Sequence, residues 1–231
     1  MNERTKKEIT KFLLVSKIGK KKKKKQVKQK NFQEIPKNTD EYQSICEFYE
    51  ASQVEKEYQP QTIFRIDSDE SSKEDDKRLV WTFHGSKPEY VANIITEGLK
   101  ESKEGCCGRN GIYLSLVSSL ATEYGEFKTT EGVPCSFVFI VVLKKSHVTM
   151  PNKTVDRNCK FDSREREHEV EHFKGNINLQ VEKFGRVKPE LLKKQIAKFE
   201  VKKTSCWTFS KFLASPEAVK LKCLICAVKK P

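Results

Sequence analysis

The sequence lacks any long hydrophobic run. Its most apolar stretch, Cys135 to Leu143, falls well short of the ~20 residues that a membrane-spanning helix needs. No secretory leader is expected: after Met-Asn-Glu-Arg, the early apolar run Phe12-Leu13-Leu14-Val15 is too short for one. The eight cysteines are therefore read as reduced thiols of an intracellular chain, not as a disulfide framework. Beyond the N-terminus, excess positive charge is scarce. The first thirty residues carry 13 Lys and Arg against two Glu, a net of +11 out of +13, which leaves +2 for residues 31–231. The pI of about 9.3 thus describes an arm and says little about the globular part.

Charged residues make up 33% of the chain and hydrophobic ones 36%, so part of it is expected to stay unpacked. Lys20 to Lys25 repel one another and extend the backbone. Residues 1–37 are accordingly expected to be a disordered polybasic arm, suited to RNA, import factors or an acidic membrane surface. A helix is predicted over 38–56, within a helical piece spanning 38–59, because Tyr42, Ile45, Cys46, Phe48 and Tyr49 share a face. Residues 62–66 alternate like a strand, and 67–77 are polar enough for a loop.

From Leu79 the pattern tightens. Strand 79–83 is followed by a helix from Pro88 to Leu99, with Gly98 at its C-terminal end. After a loop over 101–110 come a short strand from Gly111 to Leu114 and a helix capped by Ser115 and running through Tyr124. Cys135 to Leu143 reads as a central strand buried on both faces. Weaker strands are predicted at 177–181 and 195–201, and 203–231 reads as a C-terminal tail. The expected class is α+β with a mostly antiparallel sheet, its main domain spanning 60–202.

Two motifs suggest metals. His168-Glu-Val-Glu-His172 satisfies the zinc-protease pattern, with two histidines one helical turn apart and Glu169 as base. Its flanks are charged all round, as in an exposed helix and unlike the floor of a cleft. Cys223-Leu-Ile-Cys226 has zinc or redox spacing, but no second such pair exists unless Cys106-Cys107 joins it. No metal is assigned to either.

The remaining motif is Val80-Trp-Thr-Phe-His84-Gly85-Ser86. A His-Gly at a strand end is, taken alone, an ordinary turn. Here it opens an ordered set: strand, His-Gly-Ser, a helix ending Asn93-Ile-Ile-Thr-Glu-Gly-Leu99, Gly111-Ile112-Tyr113, a helix, Tyr124, then the apolar strand. That series resembles the catalytic domain of the PARP family of ADP-ribosyltransferases. Ser119-Leu-Ala-Thr-Glu-Tyr124 is most similar to the family's tail-anchored, mono-transferring branch of the endoplasmic reticulum.

The resemblance implies an NAD-dependent protein ADP-ribosyltransferase with an α+β sheet fold, NAD as co-substrate, and acceptor proteins that include the chain itself. It places His84, Gly85, Ser86, Tyr113, Tyr124 and Ala121 around NAD. Gly85 would take the nicotinamide carboxamide on its backbone, since no side chain blocks a planar amide. His84 would donate to a ribose hydroxyl, and Ser86 would bond the adenosine ribose. Tyr113 and Tyr124 would sandwich the nicotinamide ring. Ala121 stands where most members have a serine, and the tail-anchored branch shares that alanine. The family's glutamate on a late strand aligns with Asn176 or Asn178, which implies mono- rather than poly-transfer. The cytosolic face of the endoplasmic reticulum or nuclear envelope is the implied location, with nucleus or cytosol otherwise. Yet Cys223 to Val228 is too short to anchor, so the anchor is expected to be lost or truncated. An inactive NAD-binding or protein-interaction module on the same fold is the alternative, and a zinc hydrolase acting through the His-Glu-Val-Glu-His motif is a remote one.

Overall fold

The computed structural model describes residues 32–54, 56–66, 80–102, 111–143, 175–176, 178–186 and 211–231. The His168–His172 motif and the strand expected at 195–201 lie outside these residues. The described strands form one eight-stranded sheet in the order β1-β2-β8-β6-β3-β4-β7, with β5 paired to β6 off this path. In chain order they are β1 (Phe32–Glu34), β2 (Tyr58–Ile66), β3 (Val80–Gly85), β4 (Ile112–Ser115), β5 (Glu126–Lys128), β6 (Pro134–Leu143), β7 (Lys211–Ala214) and β8 (Val219–Lys229). Every registered pair is antiparallel, as expected for the class.

Among the described residues, α1 (Asp40–Ala51), α2 (Pro88–Glu97) and α3 (Ser118–Gly125) pack on the sheet. Strand β6 separates two cores. Its Phe137, Phe139, Val141 and Leu143 face one core with Val91, Ile94 and Ile95 of α2. Its Val138, Ile140 and Val142 face the other with Tyr42, Ile45, Phe48 and Tyr49 of α1. This is why the run from Cys135 to Leu143 shows no polar alternation: both faces are covered. Thr39 starts α1, its side chain accepting from the Tyr42 N–H at 3.2 Å.

Four expectations are corrected. The arm does not extend to residue 37: β1 pairs with β2, Phe32 stacks on Phe64 at 4.6 Å between ring centroids, and Ile35 is buried. Of the tail expected at 203–231, residues 211–231 are described and belong to the fold: β7 is an edge strand, and β8 lies between β2 and β6 near the middle of the sheet. Residues 175–176 and 178–182 are helical, not a strand. Asn176 and Gln180, one helical turn apart, are both buried, and their tertiary contacts override the β-like composition. Finally, Ser115 does not cap α3. Its hydroxyl accepts from the Val117 N–H at 2.9 Å, and Val117 holds the N-cap place without a side-chain bond.

The two cysteines of the C-terminal pair point apart. Cys226 belongs to the α2-side core and Cys223 to the α1-side core. Strand alternation puts positions three apart on opposite faces, so helix-like C-x-x-C ligand geometry is lost. Burial pushes the Cys223 thiol up to about 12 and Cys226 well above its ordinary value, which keeps both as thiols rather than metal-binding thiolates. Among the described residues, no group of three or more His, Cys, Asp and Glu is placed to hold a metal ion. No described helix is long and apolar enough to cross a membrane.

Candidate active site

The site begins with how β3 is paired. On one side it runs in register with β6 over six pairs, from Val80↔Leu143 to Gly85↔Val138. On the other side β4 contributes a single registered pair, Phe83↔Ser115. The Ser86 N–H donates to the Phe137 carbonyl at 3.2 Å, so Ser86 faces β6. Alternation then turns the N–H and C=O of Trp81, Phe83 and Gly85 toward β4.

Each of these three positions has its own surroundings. Gln180 replaces a strand at Trp81: its Oε1 accepts from the Trp81 N–H at 3.0 Å and its Nε2 donates to the Trp81 carbonyl at 3.1 Å. Phe83 pairs with Ser115. Gly85 has no registered partner on that side among the described residues. Among the described residues, the Gly85 N–H and C=O on that side thus face β4 beyond its last registered pair. A planar carboxamide can complete that ladder with its own C=O and NH2.

The absent side chain of Gly85 serves a different purpose from the one expected. A Cβ there would lie 1.7 Å from the Ala121 carbonyl oxygen and 2.9 Å from the Gly125 nitrogen. The space over Gly85 is filled by α3, not left for a ligand. Gly125 mirrors this, since its Cβ would lie 2.2 Å from the Phe137 carbonyl oxygen. The two glycines let α3 lie directly on β3 and β6.

His84 precedes Gly85 on β3. Its Nδ1 is 2.9 Å from the Tyr113 carbonyl oxygen, which joins β3 to β4 beyond their registered pair. Burial lowers its pKa below the ordinary 6.5, and the bond to Tyr113 offsets this only in part. The imidazole is therefore neutral near pH 7. A carbonyl can only accept, so Nδ1 carries the proton and Nε2 is left as an acceptor. In this tautomer Nε2 can accept a hydrogen bond but has no proton to donate.

The described geometry brings four of the expected residues to one place. His84 touches Tyr113, and Gly85 touches Ala121 and the backbone next to Tyr124. Tyr113 is half-buried on β4, whereas Tyr124, near the end of α3, is 54% exposed. Ser86 is buried, and its hydroxyl is 3.5 Å from the Lys87 carbonyl, at the outer limit of a hydrogen bond.

Asn176 and Asn178 do not join the site's late strand. Asn176 accepts from the Gln180 Nε2 at 2.8 Å on the helical segment beside Trp81, and Asn178 is exposed. The late strand beside Tyr113 is β7, where Leu213 is registered with Tyr113 and Lys211 with Ser115. Sequence reasoning missed this strand and Gln180. The i, i+4 spacing of Asn176 and Gln180 was the available signal for the helical turn.

His84 gives a pH prediction. The unfolded chain takes up this proton near 6.5, before the folded chain does. The stability held by neutral His84 is thus complete above about pH 6.5, and it is lost as pH falls from there toward the lower pKa of the folded state. Melting temperature followed from about pH 7.5 to 5 should fall more steeply for the wild type than for His84→Gln. Parallel curves would show that His84 is not held neutral.

An antiparallel sheet thus carries a His-Gly pair at a strand end, with a helix laid on the glycine, Tyr113 on the neighbouring strand and Tyr124 on that helix. The Poly(ADP-ribose) polymerase catalytic domain family matches residues 39–195, and the chain belongs to that family of NAD-dependent ADP-ribosyltransferases. No curated protein matches the chain.

Proposed function

We propose that the chain is a protein mono-ADP-ribosyltransferase. The observation that supports this reading is the backbone edge of Gly85, which has no registered partner on the β4 side among the described residues, next to a neutral His84. The carboxamide of NAD would pair with Gly85, the ring would stack against the tyrosines, and a ribose hydroxyl would donate to His84 Nε2. The bond between nicotinamide and ribose C1′ then breaks. Nicotinamide leaves with the bonding electrons, and an acceptor side chain attacks C1′ and loses its proton. Holding the two halves of NAD in fixed positions is the main catalytic contribution.

Single transfer is supported by what surrounds β7. No Asp or Glu occurs between Glu200 and Glu217, a span that includes the whole of β7. Chain extension needs a base for the hydroxyl of an attached ribose, and this segment supplies no carboxylate. The same lack would slow transfer, because a carboxylate would stabilise positive charge at C1′. Likeness to the tail-anchored branch rests on Ala121 and its neighbours. The apolar residues Cys223 to Val228 are inside the sheet here.

Incubation with labelled NAD, followed by gel and mass analysis, tests this. Discrete labelling at one ADP-ribose per modified site is expected, on the chain itself or on an added acceptor. A polymer ladder would overturn single transfer. Clear NAD binding without any labelling would favour an NAD-holding module without turnover.

A further inference from the structure

Resting on that reading, we infer that α1, through Tyr49, positions the nicotinamide-stacking helix α3 over Gly85. Helix α3 starts without a side-chain cap of its own. Its first N–H, that of Ser118, donates instead to the Ser52 carbonyl just past α1, at 3.1 Å. The Ser118 hydroxyl donates to the Tyr49 carbonyl at 2.8 Å. The Ser119 hydroxyl accepts from the Val54 N–H at 2.8 Å. The start of α3 is thus completed by groups in and just after the last turn of α1, in a segment well over sixty residues earlier in the chain.

One bond reaches further along α3. The Tyr49 and Thr122 hydroxyl oxygens are 2.8 Å apart and buried. The Thr122 hydroxyl donates to the Ser118 carbonyl at 2.8 Å, which uses its only proton. Tyr49 must therefore be the donor to Thr122. On the sheet side, the Ser136 hydroxyl of β6 donates to the Thr122 carbonyl at 2.8 Å. Residue 122 is thus fixed from α1 and from β6 together. It lies between Ala121, whose carbonyl presses on Gly85, and the turn bearing Tyr124.

The consequence is functional. These side chains bond to α3 itself, and through it they set where Tyr124 stands relative to Gly85. Tyr49 and Thr122 are positioning residues, and α1 is a working part of the NAD site. Hydrogen bonds of defined direction hold α3 at one height over Gly85, which apolar packing alone does not specify so narrowly. Without the Tyr49 bond, α3 keeps its anchor on β6 but loses its fixed height, and a small displacement of a stacking ring is costly to ligand binding.

The test compares Tyr49→Phe and Thr122→Val with Thr122→Ser and with Ile45→Val, a purely apolar change in the same face of α1. NAD dissociation constants, titrated well below each melting temperature, should rise roughly 5- to 10-fold for Tyr49→Phe and Thr122→Val. Thr122→Ser keeps the hydroxyl and should stay near the wild type, as should Ile45→Val even when its melting temperature falls equally. If turnover is measurable, KM should rise with kcat nearly unchanged, since stacking is made in the ground state. A Tyr49→Phe protein whose NAD affinity matches that of Ile45→Val would overturn the inference. A wild-type protein that does not bind NAD would sink the transferase reading alone. The coupling is then judged by amide exchange, where Tyr49→Phe should speed exchange at 121–125 and leave β6 unchanged. Equal exchange in both proteins would overturn it.

Discussion

A chain ended after Ala218 will not fold. The missing residues form β8, which pairs with β2 from Tyr58↔Lys229 to Arg65↔Cys223 and with β6 from Cys135↔Val228 to Leu143↔Val219. Removing it strips each neighbour of a ladder in the middle of the sheet and leaves β1-β2 separated from the rest. It also removes Leu224, Cys226 and Val228 from one core, and Cys223, Ile225 and Ala227 from the other. At about 1.5–3 kcal/mol for each large buried apolar side chain, the loss is on the order of 10 kcal/mol, comparable to the whole stability of a typical domain. Circular dichroism of the truncated chain should show no cooperative melting, and limited proteolysis should leave no protected core. A cooperative transition would show that β8 is dispensable.

Gly85→Ala will cost about 3 kcal/mol or more and will abolish NAD binding. The added methyl would meet the Ala121 carbonyl oxygen at 1.7 Å and the Ala121 carbonyl carbon at 2.7 Å, both backbone atoms of α3. No side chain can rotate to relieve that overlap, so the helix must move. Overpacking of this kind lies at the upper end of measured costs, and about 3 kcal/mol corresponds to roughly 10 °C in a domain of this size. The moved helix carries Tyr124 away from Gly85. Gly98→Ala is the control: Gly98 has φ 86° and ψ 177° but nothing within 4 Å of its added carbon, so only backbone strain of roughly 1–3 kcal/mol applies, with no helix displaced at the site. NAD titrations of the two variants should therefore differ sharply, whatever their melting temperatures. Equal losses of affinity would mean that crowding by α3 is not what requires a glycine at 85.

The sequence by itself determined the class of the fold and the elements nearest the site. Val80 to Phe83, the α2 face of Val91, Ile94 and Ile95, and the run from Cys135 to Leu143 carry local periodicity strong enough to be read directly. The order His84-Gly85, Tyr113, Tyr124 pointed to the family before any geometry was known. Tertiary structure alone decided the rest, because the deciding contacts are distant in the chain. Val219 to Lys229 alternates lysine with apolar residues only at its start, and its place between β2 and β6 comes from partners far away in sequence. Asn176 to Gln180 has strand-like composition, and its helix is stabilised by an amide that bonds the backbone of Trp81. The glycine at 85 was legible, but its reason was not: only the fold shows that α3 fills the space its side chain would need. The proton on His84 Nδ1 was likewise fixed by the Tyr113 carbonyl, a group that no local pattern reveals.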